Sequence, residues 1–164
     1  MKKVFSLSKR LFFFASVAVI GAMVLSSCKK DNDESNNSKT YSISGNASGS
    51  QMVPSVSGNG SGTITGTYDP NTMVLSYTTN WNALTGAPTS GGFYTGASGV
   101  NGTLVGSSWN LGTGLTSTGS TSGQMTLTAD QASQLTSGNW YYTLGTATNT
   151  TGEVRGQITA TANP

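Results

Sequence analysis

Large apolar residues beyond Tyr41 alternate with small polar ones in short runs, and turn residues separate the runs. Gly62–Tyr68 is rich in β-branched residues, and Met73, Leu75 and Tyr77 alternate with Val74, Ser76 and Thr78. Period two is the mark of a half-buried strand. Asp69-Pro70-Asn71 between the two runs is a turn signal, because Pro pre-sets φ and Asn tolerates the bend. Thr63–Thr79 is therefore a predicted hairpin. Asn59-Gly60 and Asn101-Gly102 are tight-turn dipeptides, and Thr89–Thr95 is expected to pair with Gly102–Gly106 across the second. Ser122–Thr128 alternates again. Trp140, Tyr142 and Leu144 share one face of a later strand. In the last strand Val154, Gly156, Ile158 and Ala160 face one way and Glu153, Arg155, Gln157 and Thr159 the other.

One helix is predicted. Thr128 can cap it, Asp130 suits its N-terminal end and Gln131 completes the capping-box spacing. It should end by Gly138. Many short strands with frequent turns predict an all-β fold, an antiparallel β-sandwich or barrel-like domain with one short helix. A solenoid is the alternative, because Gly/Thr/Ser-rich text also suits β-helices. The expected core is Ile43, Ile64, Leu75, Tyr77, Leu84, Leu104, Leu127, Leu135, Tyr142, Leu144, Val154 and Ile158.

The N-terminus reads differently. Four basic residues lie within Met1–Arg10, and Leu11–Leu25 is a 15-residue apolar run, with Ser16 its one polar side chain, leading into Leu25-Ser26-Ser27-Cys28. A basic start, a short apolar stretch and small residues at its end make a secretory signal. A membrane span needs about 20 apolar residues, and a core helix would show polar residues at helical spacing. The tetrapeptide resembles the lipobox of bacterial lipoproteins, in which the cysteine is lipidated and becomes the first mature residue. Residues 1–27 are thus expected to be a removed signal peptide. Residues 28–40 carry the lipidated Cys28 and a polar, flexible tether, and 41–162 form the β-domain. The acidic stretch Asp31-Asn32-Asp33-Glu34 resembles tether signals for the cell surface and reads equally well as a solvated spacer. The expected location is the cell envelope: outer membrane, cell surface or periplasmic face.

Charge changes the picture by its scarcity. Only 9% of residues are charged, against roughly 25% in ordinary domains. Without the signal, Lys29, Lys30, Lys39 and Arg155 face six carboxylates, formally −2. From Tyr41 onward the only charged residues are Asp69, Asp130, Glu153 and Arg155. No basic stripe exists for phosphate, which argues against nucleic acid. With no histidine and one cysteine, Cys/His zinc sites and Ser-His-Asp or Cys-His catalysis are excluded. No cofactor is expected.

Several stretches together resemble the CHRD (chordin-type) domain over roughly Tyr41–Ala160. Gln51-Met52-Val53-Pro54 is similar to its opening and Leu84-Thr85-Gly86 to a later segment. Leu127–Leu135 with Gly138 is similar to its short helix, and Tyr141–Thr146 to a strand. Gly152-Glu153-Val154-Arg155-Gly156-Gln157 is similar, nearly residue for residue, to its most specific motif. The resemblance implies an extracellular β-domain. Where the family carries His-x-His this chain has Gly92-Phe93-Tyr94, and where it carries His-Thr this chain has Gly145-Thr146, so any chemistry of those histidines is unavailable here.

Two groups remain as candidate sites. Glu153 and Arg155, two apart on a strand, should point to one side, either as a structural pair or with Arg155 as an anchor for an acidic or polar ligand. Trp81, Phe93, Tyr94 and Trp109 are candidate ligand-contact aromatics, able to stack on sugars or a protein if exposed. Asp69 and Asp130 have local turn and helix roles, and a glycosidase pair of carboxylates is not indicated. The Asn-x-Ser/Thr triplets at Asn46, Asn101 and Asn149 read as chance. The expected function is a non-enzymatic binding or adhesion module anchored to a membrane, with an envelope protein or polysaccharide as partner. The alternatives are carbohydrate binding through surface aromatics, and a degenerate enzyme or oxygen-ligand metal site. Cys28→Ser should abolish lipidation and leave soluble or unprocessed protein; membrane fractionation with mature-size migration of that variant would rule the anchor out.

Overall fold

The computed structural model describes residues 39–164. The expected signal peptide, Cys28 and the expected tether up to Ser38 lie outside the described residues. Nine strands and one helix follow: β1 Tyr41–Ser48, β2 Ser61–Asp69, β3 Val74–Asn82, β4 Pro88–Thr95, β5 Leu104–Val105, β6 Gly119–Thr126, α1 Ala129–Thr136, β7 Trp140–Thr146, β8 Val154–Gln157 and β9 Thr159–Ala162. They form one antiparallel sheet in the order β5-β4-β7-β8-β1-β2-β3-β6, with β9 also on β1. The sheet curls strongly into a half-barrel. Of the two architectures the strand pattern allows, the barrel-like one is present. The solenoid is not, since neighbours pair antiparallel and out of chain order.

The predicted β2–β3 hairpin is there, with Thr63 opposite Asn80 and Ile64 opposite Thr79. Asp69 makes its turn by accepting the Asn71 N–H at 2.9 Å, the side-chain mimic of a backbone turn. Met73 lies in the turn rather than the strand, at φ 59, a left-handed conformation costly for a residue with a long side chain. Its carbonyl accepts the Leu127 N–H, and Tyr68 donates to its sulfur, so the turn is held from both sides. β4 and β5 pair through Phe93–Val105 and Tyr94–Leu104. Asn101-Gly102 does not make a two-residue turn between them. The connection runs from Gly96 to Thr103, and a Cβ at residue 102 would lie 1.5 Å from the Thr95 carbonyl oxygen. Glycine is needed there for close approach. α1 carries the full capping box, Thr128 and Gln131 each bonding the other's backbone N–H. Gly138, at φ 73, follows its end.

The concave face of the sheet holds the core. Ile64 and Tyr68 from β2, Leu75 and Trp81 from β3, and Trp140, Tyr142 and Leu144 from β7 are buried there with Phe93, Val154 and Ile158. Phe93 is at the centre of an aromatic cluster, with ring centroids 4.8 Å from Tyr77, 5.0 Å from Trp109 and 5.5 Å from Trp140. Tyr77, expected in the core, is half-buried at its edge. Leu104, also expected there, is 42% exposed. Opposite Tyr94 in the β4–β5 ladder, it falls on the convex face, because Val105 takes the inward position. β7 is the one strand buried along its whole length on both faces, so it is the structural centre of the sheet.

Leu144 has no exposed surface. Leu144→Ala should cost about 2–5 kcal/mol of stability, read as a lowered denaturation midpoint with an unchanged slope.

Candidate functional site

β8 and the residues just before it decide how the loops sit. Gly152 holds φ 135, and a Cβ there would lie 2.5 Å from the Met52 side chain. Gly156 faces inward; a Cβ would lie 2.6 Å from the Tyr142 ring and 2.8 Å from the Asn46 carbonyl oxygen. Both glycines therefore mark close approaches. Val154 lies in the core between them.

Glu153 precedes the strand, so the alternation that predicts a shared side for Glu153 and Arg155 does not apply. The two do not pair. Glu153 accepts from the Thr85 N–H at 2.8 Å and from the Thr85 hydroxyl at 2.5 Å. The Thr146 hydroxyl donates at 2.7 Å and the Asn149 amide at 3.4 Å. Burial pushes the carboxyl's pKa up, but the hydroxyls of Thr85 and Thr146, the Thr85 N–H and the Asn149 amide outweigh it, and the net direction is down. Glu153 thus ties the β3–β4 loop to the β7–β8 loop.

Arg155 is only 2% exposed and sits on the convex face beneath the β4–β5 connection. Its Nη2 donates to the carbonyl oxygens of Ala97 (2.9 Å) and Val100 (2.8 Å), and its Nη1 to Asn101 Oδ1 at 3.2 Å. Its guanidinium lies 3.5 Å from the centre of the Tyr141 ring. Burying an ion costs several kcal/mol. Three hydrogen bonds to a charged group, at about 1.5–3 kcal/mol each, and a cation–π contact of roughly 0.5–2 kcal/mol match that cost without a carboxylate. Burial lowers its pKa and the neighbouring Tyr141 acts to raise it; a guanidinium so shifted remains charged at neutral pH. Gln157 completes the motif by donating to the carbonyls of Gly96 (2.9 Å) and Gly138 (2.8 Å).

The candidate aromatics separate. Trp81 and Phe93 are core residues, 2% and 1% exposed, and offer no ring face to a ligand. Trp81 also spends its indole N–H on the Thr116 carbonyl. They fall inward because odd positions of β3 and Phe93 of β4 face the concave side. Tyr94 is on the convex face, stacked on Tyr141 at 5.3 Å. There it borders a pocket of about 260 Å³ with Met52, Pro54, Asn101 and Arg155. Trp109 is half-buried and joins Tyr77 and Phe93 in a cleft of about 410 Å³ between β6 and Gly106–Asn110.

A family model for the CHRD domain matches residues 43–158. The chain belongs to the CHRD domain family. No curated protein and no solved structure matches it. In this CHRD domain Gly92, Tyr94 and Gly145, the positions where the resemblance implies histidines, lie on neighbouring strands β4 and β7. The space that side chains would take beside the two glycines is filled. A Cβ at residue 92 would lie 2.8 Å from Leu104 Cδ1, and one at 145 would lie 2.5 Å from Ser90 Oγ. Among the described residues no three His, Cys, Asp or Glu side chains come together to hold a metal.

Sequence reasoning missed Thr85, Thr146 and Asn149 as partners of Glu153, and Tyr141 as the platform for Arg155. For Tyr141 a signal existed: it alternates with Tyr142, so one of two adjacent large rings had to lie on the convex face and find cover there.

Glu153 has a lowered pKa, so its stabilisation is complete above the ordinary value of 4.5 and is lost as pH falls through the folded value. Glu153→Gln should destabilise the domain by about 1–3 kcal/mol at neutral pH. The gap to wild type should shrink on acidification below that value. Thermal melts across that window check it; a gap independent of pH would contradict the assignment.

Proposed function

We propose that this CHRD domain is the binding module of a lipid-anchored envelope protein, held at a membrane through Cys28 and carried on the tether 28–40. One observation carries the reading. The motif's charged side chains, Glu153 and Arg155, are engaged with the domain's own loops. What remains for outside molecules is a set of recesses in a rigid sheet, lined by aromatic rings, hydroxyls and amides. Such recesses suit recognition better than bond-breaking, which needs a positioned acid, base or nucleophile. The lack of histidine, and of any cysteine beyond Cys28, points the same way. No helix among the described residues is long and apolar enough to cross a membrane, so an anchor at Cys28 would supply the attachment.

The test is affinity capture. Full-length chain in detergent, immobilised on a matrix, is expected to retain at least one envelope component, protein or polysaccharide, from a solubilised envelope extract. Heat-denatured chain on the same matrix should not. Equal recovery on the two would sink the proposal.

A further inference from the structure

Arg155 is the one cation from Tyr41 onward, and the fold buries it. A guanidinium carries five N–H groups. Neutral oxygens of the protein take three of them, the two of Nη2 and one of Nη1. The Nε–H and the second Nη1 N–H have no partner among the described residues. Nε is also not shut away. The side-chain polar atoms that are both sealed and unpartnered are Thr79 Oγ1, Trp109 Nε1, Trp140 Nε1 and Gln157 Oε1, and Arg155 Nε is not one of them.

Nor is the charge balanced. Neutral oxygens solvate a cation without cancelling it. Asp69, Asp130 and Glu153 are the only acids from Tyr41 onward. Asp69 serves the β2–β3 turn, Asp130 stands in the first turn of α1, and Glu153 is turned to Thr85, Thr146 and Asn149. The neighbour whose charge bears on Arg155 is Tyr141.

The pocket of about 260 Å³ on the convex face is lined by this arginine. Arg155, Tyr141 and Thr143 are its buried part. Much of the remaining wall is apolar: Met52, Val53, Pro54 and Val56 from the segment after β1, and the Tyr94 ring. Ser55 and Thr151 are exposed at its rim. Asn101 fixes wall to floor, since it accepts from Arg155 and donates to the Val53 carbonyl. The volume lies just below the usual range of about 300–1,000 Å³ for ligand pockets, which suits one small molecule rather than a polymer.

We propose that this pocket binds a small organic monocarboxylate, with its carboxylate on the free N–H groups of Arg155 and its apolar body against the segment after β1 and Tyr94. A carboxylate supplies the missing counter-charge and accepts charge-assisted hydrogen bonds, which are about twice as strong as neutral ones. A dianion such as phosphate brings a second charge into a site with one cation. A wholly apolar ligand covers the two N–H groups without satisfying them. The inference rests on the binding-module reading and names a ligand class for it.

The experiment reads the arginine directly. The chain has two arginines, Arg10 and Arg155, so the Nε–H signals of isotope-labelled full-length chain in detergent are told apart by Arg10→Lys. Sodium benzoate and sodium isovalerate, titrated at constant ionic strength, should each shift the Arg155 Nε–H signal saturably. Benzamide, isovaleramide and inorganic phosphate should not. Ser55→Glu and Thr151→Glu place a competing carboxylate at exposed rim positions and leave Arg155 itself intact. Each should weaken acid binding by about tenfold or more. Ser122→Glu, the same change of charge at an exposed position of β6 outside the pocket, should leave it unchanged. Silence of Arg155 toward both acids, an equal response to the amides or to phosphate, or binding unmoved by both rim variants overturns the proposal. If envelope capture succeeds while both acids leave Arg155 unmoved, this assignment falls and the binding module stands. If the acids bind and capture fails, the pocket stands and the envelope partner falls; if both fail, both fall.

Discussion

The arrangement of this domain depends on a buried arginine that has no acid to pair with. Arg155 lies under the β4–β5 connection, and its charge is tolerable there only because the chain brings oxygens to it. Ala97 and Val100 offer main-chain carbonyls, Asn101 its side-chain oxygen, and Tyr141 its ring face. The loop cannot move away without giving up three hydrogen bonds to a charged group. A polar side chain thus organises a loop that has little apolar content of its own. Asn101 passes the constraint on, since its amide nitrogen donates to the Val53 carbonyl at 2.8 Å. The segment after β1 is fixed to the same centre.

Glu153 and Gln157 do comparable work on either side of Arg155. Glu153 draws Thr85, Thr146 and Asn149 together, and Gln157 bridges Gly96 to Gly138 at the end of α1. The hexapeptide Gly152–Gln157 is therefore a framework motif here. Its two glycines make room and its three polar side chains hold loops. Val154 alone serves the core in the ordinary way. A domain so poor in charge has few other means of fixing long connections, and β7, buried on both faces, is the result.

Much of this was legible in the chain. The β2–β3 hairpin followed from alternation and from Asp69-Pro70-Asn71, and α1 from Thr128 and Gln131, because these signals act within a few residues of each other. Most of the expected core is buried for the same reason. Leu104 and Met73 were misplaced, since a two-residue strand and a strained turn leave too little periodicity to set a face. The candidate site was far less legible. Trp81 and Phe93 attract attention as aromatics, yet inward or outward is decided by sheet curl and register, which no local pattern encodes. The outward Ser, Thr, Asn and Gln residues of β1, β2, β3 and β6 are in plain view residue by residue. They become a surface only when four strands are set side by side.

By itself the sequence determined the all-β class, the one helix with its cap, and the absence of histidine chemistry, because composition and short-range periodicity carry those directly. Tertiary structure alone decided that the sheet is one curled half-barrel. It also decided that Glu153 and Arg155 serve separate loops. Those outcomes rest on contacts between residues far apart in the chain, where side chains meet partners that neither segment specifies alone.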